Sequence, residues 1–175
     1  MQGNLRSINL QHCFEVETLD REETGSWGCN FVLGDDQGRR IDVHSFVDDL
    51  RQSGDAVISL TAERDSRVIG HVLFSKLKAP MRALGLAPVA VHPSFQKQGV
   101  ASALIREGLD QAKEDGWMCV FVLGDPGYYG RFGFRVESAK GCSSLYSGRH
   151  FMALPFTDVA KTGEIIYPKP FKLLD

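Results

Sequence analysis

A chain of 175 residues is long enough for one domain with a proper core and too short for two well-packed ones, so a single domain over residues 1–175 is expected. With 43% hydrophobic and 24% charged residues and no low-complexity run, intrinsic disorder is excluded. The 20 basic and 22 acidic side chains leave a formal charge of -2 with no Lys/Arg block, so no nucleic-acid partner is expected. Cys13, Cys29, Cys119 and Cys142 are widely spaced without a C-x-x-C, and neither an N-terminal apolar targeting stretch nor an apolar run of membrane length is present. A cytoplasmic protein without membrane partners is the expectation.

From Met1 to about Asp42 the pattern is irregular, with Gly25, Gly28, Gly34 and Gly38 interrupting mixed stretches such as 29–33, and it predicts no element. Val43, Phe46, Val47 and Leu50 recur three and four apart, which predicts a short amphipathic helix over 44–51 that stops by Gly54. Two β-rich runs, 56–62 and 68–74, flank a polar turn and predict a hairpin. The stretch 84–91 reads as another strand, made irregular or bulged by Pro88, which lacks a backbone donor.

The clearest helix is predicted from about Gly99 to Asp115, with Val100, Ala101, Ala103, Leu104, Ile105, Leu109 and Ala112 on one broad face and Gly116 placed to end it. The apolar run 117–123 reads as a strand buried on both faces, so strand, loop, helix and strand make a βαβ crossover with two parallel strands. Late strands are expected over 151–154 and 164–167.

The chemistry concentrates where the strand ending at Val91 empties into the best helix, through His92-Pro93-Ser94-Phe95-Gln96-Lys97-Gln98-Gly99. A helix N-terminus offers unpaired N–H groups and about half an elementary charge, and Gly99 and Ala101 let a diphosphate approach the main chain. Gly99 is followed by neither the Gly-Lys-Ser/Thr of a nucleotide P-loop nor the second glycine of a dinucleotide fingerprint. What stands there is Gln96-x-x-Gly99-x-Ala101, preceded by Val91-His92-Pro93 and followed by Tyr129-x-x-x-Gly133-Phe134. In these motifs, in this order, the chain resembles the GCN5-related N-acetyltransferase (GNAT) superfamily. Tyr128-Tyr129-x-Arg131-Phe132-Gly133-Phe134 and the closing Tyr167-Pro168-x-x-Phe171 are similar to a bacterial branch of it, while residues 1–45 match poorly.

The resemblance implies an α/β fold with a mixed, mostly antiparallel sheet of about six or seven strands, helices on both faces and a splayed parallel pair at the cofactor. It implies acetyl-CoA as co-substrate, no metal, and a small-molecule or peptide amine as acceptor, by direct attack. A homodimer accords with the family's habit of pairing. Backbone groups of Val89 and Val91, flanking Ala90, would pair with the pantetheine arm. N–H groups of Gln96, Lys97, Gln98, Gly99, Val100, Ala101 and Ser102 would hold the diphosphate, with the Lys97 side chain in solvent. Tyr129 is implied as the proton donor to the departing thiolate.

Freeing the lone pair of an amine whose pKa is about 10.4 costs roughly 4 to 5 kcal/mol at neutral pH, so a base or a desolvating pocket is required. Strand 84–91 carries no Asp or Glu, and Asp125 is only a weak substitute, which leaves a water-mediated route open. His71 reads as a hydrogen-bonded core histidine rather than a base, and His12, His44, His92 and His150 lack metal-ligand spacing. Cys142-Ser143-Ser144 reads as a small-residue loop rather than a nucleophile. From another class, a non-catalytic acyl-CoA-binding sensor would share the Gln96–Ala101 loop.

Overall fold

The structure, a computed structural model, describes residues 5–9, 32–34, 40–157 and 162–174. Strands β1 (Leu5–Asn9), β2 (Val32–Gly34) and β3 (Arg40–Asp42) precede helix α1 (Val43–Gln52), whose Phe46, Val47 and Leu50 are buried as their spacing requires. No strand was expected in that first segment. Strands this short carry too few residues to show an alternation, and part of the stretch 29–33 lies outside the described residues.

The predicted hairpin is present as β4 (Ala56–Arg64) and β5 (Arg67–Lys76). Its two turn residues, Asp65 and Ser66, both adopt positive φ (49° and 60°), the geometry that matches the right-handed twist of the strands they join. Strand β6 (Ala83–Val91) follows, then helix α2 (Val100–Glu114) and strand β7 (Cys119–Leu123). Helix α2 ends as its glycine predicts: Gly116 sits at φ 74°, its N–H donates to Lys113 O (3.1 Å), and Trp117 N–H donates to Ala112 O (3.0 Å). Those two bonds satisfy carbonyls that the last helical turn leaves open.

Among the described residues the main sheet has six strands in the order β1-β4-β5-β6-β7-β9, where β9 is Phe151–Pro155. Pairs β4–β5, β5–β6 and β7–β9 are antiparallel, whereas β1–β4 and β6–β7 are parallel. Alternation divides the core: Ile58, Leu60 and Ala62 of β4 pair with Phe74, Val72 and Gly70 of β5 under α2, while Ser59, Thr61, Leu73 and His71 face α1. Both faces of the sheet therefore carry a helix.

Two glycines set how closely α2 lies. A Cβ at Gly70 would stand 2.8 Å from Val100 Cγ1, and one at Gly108 would stand 2.2 Å from Phe74 Cε2. One late expectation is corrected. Instead of a strand over 164–167, β10 covers only Gly163–Glu164, beside the short β8 (Cys142–Ser143), and Ile166 makes a single bridge to Lys78. The chain must leave strand geometry there because Tyr167 turns its ring onto Gly85 and Pro168 has no N–H to donate.

Candidate active site

Between β6 and α2 the chain makes a short 3₁₀ turn, Pro93–Phe95, held by His92, whose Nδ1 accepts from Ser94 N–H (3.3 Å). Gln96 returns to extended geometry, Lys97 adopts φ 59°, and Gly99 adopts φ 96°. A left-handed lysine costs roughly 1 kcal/mol, which the surrounding turn must over-determine. Gly99 is the N-cap of α2 and no side chain caps this end; the first turn holds no acidic residue, and the first intrahelical bond runs from Ala103 N–H to Gly99 O (2.8 Å). The N–H groups of Val100, Ala101 and Ser102 thus lack an intrahelical acceptor, at the positive end of a 15-residue helix. A Cβ built at Gly99 would meet nothing within 4 Å, so the approach to these donors is open.

That end of α2 lies at the mouth of a gap in the sheet. Strands β6 and β7 pair only from Ala83↔Cys119 to Gly85↔Phe121, although β6 runs on to Val91 and β7 to Leu123. Past that point β7 stays paired with β9 on its other side, and β6 stays paired with β5 through a bulge at Ala87–Pro88, whose peptide is cis. His92 N–H donates to Ile69 O (2.7 Å) and Ala90 lies opposite His71, so the peptide groups of Ala90 and His92 face β5. By strand alternation those of Val89 and Val91 face the gap, without a strand to receive them.

Across the gap, β7 runs into Gly124 and Asp125 and then the single-turn helix α3 (Pro126–Tyr129). Asp125 Oδ1 accepts from Gly127 N–H (3.1 Å) and its Oδ2 from Tyr128 N–H (3.0 Å). The carboxylate weighed as a substitute base is therefore used as a helix cap. This α3 turn places the Tyr129 ring on Gly124, edge to face with Tyr128 (5.0 Å) and Phe134 (6.0 Å). Burial, and secondarily the neighbouring Tyr128, push the Tyr129 phenol up to about 12, so it keeps its proton throughout the neutral range. The Tyr129 hydroxyl has no hydrogen-bond partner among the described residues and is not among the fully enclosed polar atoms.

His71, on the α1 face, is buried; its Nε2 lies 2.9 Å from Ser59 Oγ, which accepts from Arg51 Nη2 (3.2 Å). Burial, and secondarily the Arg51 charge, hold the imidazole down at about 4, which keeps it neutral but makes it a weak base. It is a hydrogen-bonded core histidine. Cys142 is buried in a second apolar cluster with Phe121 and Phe151. His12 and Cys29 lie outside the described residues. One arrangement carries no sequence signal at all: Gly124, ahead of Tyr129, is bound on both its peptide groups by His150, from 26 positions further on.

The model of the acetyltransferase (GNAT) family matches residues 19–134. The uncharacterized N-acetyltransferase YhbS of Escherichia coli (strain K12) is 42% identical over 96 residues, which is 53% of this chain and 58% of that protein. The chain thus aligns with less than two thirds of the length of that curated relative. The crystal structure of YhbS in complex with CoA superposes with a TM-score of 0.68 at 34% identity, covering 73% of this chain and 76% of that one. A GNAT family acetyltransferase from Brucella melitensis in complex with acetyl-CoA gives a TM-score of 0.62 at 35% identity, with the same coverage of 73% and 76%.

Proposed function

Because this chain belongs to the acetyltransferase (GNAT) family, we propose that it transfers the acetyl group of acetyl-CoA to a primary amine by direct attack. The observation that carries this reading is the parting of β6 from β7 beyond Gly85 and Phe121, beside a helix N-terminus that no side chain caps. The relatives determined with CoA and with acetyl-CoA support it.

In this reading the N–H groups from Lys97 to Ser102 hold the diphosphate, that of Gln96, expected among them, being used on Pro93 O (3.2 Å); open donors with half a positive charge behind them suit that anion. The peptide groups of Val89 and Val91, with Ala90 between them, take the pantetheine arm as a further strand would be taken. Acetyl-CoA supplies an activated thioester. A main-chain N–H on the free edge of β6 meets the negative charge that grows on the acyl oxygen. The C–N bond forms as the C–S bond breaks, the amine's proton leaves through water, and the Tyr129 hydroxyl protonates the thiolate and is reprotonated from solvent.

The test is melting of the protein with acetyl-CoA, ATP or NAD at equal concentration, beside an assay for CoA thiol with a panel of amines. Acetyl-CoA at 100 times its Kd adds about 2.7 kcal/mol, and it alone is expected to raise Tm. Equal stabilisation by ATP overturns the cofactor reading. Stabilisation by acetyl-CoA without thiol release from any amine points to a binding module.

A further inference from the structure

A cofactor arm laid along the free edge of β6 has a set direction. It starts from the loop that follows Val91, so past Val89 it heads toward Gly85, where β6 and β7 close on each other at Gly85↔Phe121. Beyond that pair, in the plane of the sheet, paired backbone bars the way at Leu84↔Val120 and Ala83↔Cys119. An acyl group carried at the tip of the arm therefore meets the closed end of the gap. A longer chain has to leave the plane by one face of the sheet.

One face is shut by the core. Leu86 pairs with Phe74, whose ring lies against Gly108 of α2, and Leu86, Phe74, Val120 and Val122 are all buried. On the other face the way over Gly85 is covered by Tyr167: a Cβ at Gly85 would stand 2.9 Å from its Cε1 and 3.1 Å from Leu77 Cδ2, so there is no room even for a methyl group. The Tyr167 ring is held in place, since Tyr146 meets it edge to face at 5.1 Å, Phe171 packs on it at 4.8 Å, and Phe171 rests in turn on Phe46 of α1 at 5.0 Å. Toward the mouth the same face is open: Leu123, two residues beyond Phe121 and so on its side of β7, is 49% exposed. An amine has access to the thioester there, whereas over Gly85 the ring closes the space.

We propose that the Tyr167 ring limits the length of the acyl group, closing the gap to chains longer than acetyl, so that this residue selects the acyl donor. The inference rests on the transfer reading above. Its test compares CoA thiol release from acetyl-, propionyl- and butyryl-CoA, with the amines of the panel that are acetylated, by the wild type, Tyr167→Phe, Tyr167→Met and Tyr167→Leu. Melting of each variant with free CoA checks that it is folded.

The wild type is expected to lose about tenfold in kcat/KM from acetyl to propionyl and more to butyryl, the scale on which a filled apolar pocket rejects one methylene. Tyr167→Phe keeps the ring and that order. Tyr167→Leu and, less fully, Tyr167→Met bring butyryl within about threefold of acetyl, with Kd for free CoA unmoved. A merely structural loss lowers all three donors together and leaves their ratio. Equal use of acetyl- and butyryl-CoA by the wild type overturns the inference while leaving acetyl transfer intact, and so does a wild-type ratio in folded Tyr167→Leu or Tyr167→Met. No thiol release from acetyl-CoA with any amine sinks the transfer reading itself, and this inference with it.

Discussion

The ring of Tyr129 rests directly on Gly124: a Cβ at that glycine would stand 2.3 Å from Tyr129 Cε2. No side chain larger than hydrogen fits, because a contact under 3.0 Å forces the ring to move. Gly124→Ala should therefore lower kcat together with Tyr129→Phe. A general acid contributes typically 10²–10⁴-fold, so Tyr129→Phe is expected to cost about 100-fold in kcat, and Gly124→Ala about tenfold, with acetyl-CoA affinity unchanged in both. Steady-state kinetics beside calorimetric titration of CoA check it; unaltered turnover in Tyr129→Phe removes the phenol from the mechanism.

Gly99 faces open space at the start of α2. Gly99→Asp puts a carboxylate where it caps the first-turn N–H groups and repels a diphosphate, at a backbone cost of about 1 kcal/mol for the positive φ. Acetyl-CoA affinity is expected to fall tenfold or more while the protein stays folded. A ligand-induced Tm rise as large as that of the wild type would place the diphosphate elsewhere.

His71 links stability to pH. Its imidazole titrates at about 4 in the fold and near 6.5 when exposed, so between those values the unfolded chain binds a proton that the native chain does not. Stability contributed by the neutral ring is complete above 6.5 and is lost as pH falls toward 4, by roughly 3 kcal/mol at most. Chemical denaturation from pH 7 to 4 should show this slope, and His71→Gln should flatten it. A slope that persists in His71→Gln assigns the effect to other groups.

Tyr167 presents the opposite case. Its hydroxyl is fully enclosed, without a hydrogen-bond partner among the described residues, while its ring packs on Gly85, Tyr146 and Phe171. Burial pushes the phenol well above its usual range. Tyr167→Phe keeps the packing and removes the unsatisfied group, so it is expected to stabilise the protein by about 1 kcal/mol. A lower Tm in Tyr167→Phe would mean that the hydroxyl has a partner after all.

Local features were legible in the residues themselves. The spacing of Phe46, Val47 and Leu50, the apolar stripe of α2 with its terminal Gly116, the polar turn at 63–67 and the Gln96–Ala101 loop each lie within a few residues of chain, where periodicity and turn chemistry operate. Pro88 likewise marked the bulge. The strand expected over 164–167 failed because its fate depended on Gly85, which lies far away in sequence and receives the Tyr167 ring.

The sequence by itself determined helices α1 and α2, the central strands and the glycine turn that opens α2, because short-range sterics follow from neighbouring residues. The motifs' resemblance already implied that two parallel strands part and that Val89 and Val91 line the opening; only the tertiary structure decided that the parting follows Gly85, that Asp125 caps α3, and that His150 ties Arg149 to Gly124. Each of these depends on strand register and on contacts between distant segments, which long-range packing selects and no local pattern encodes.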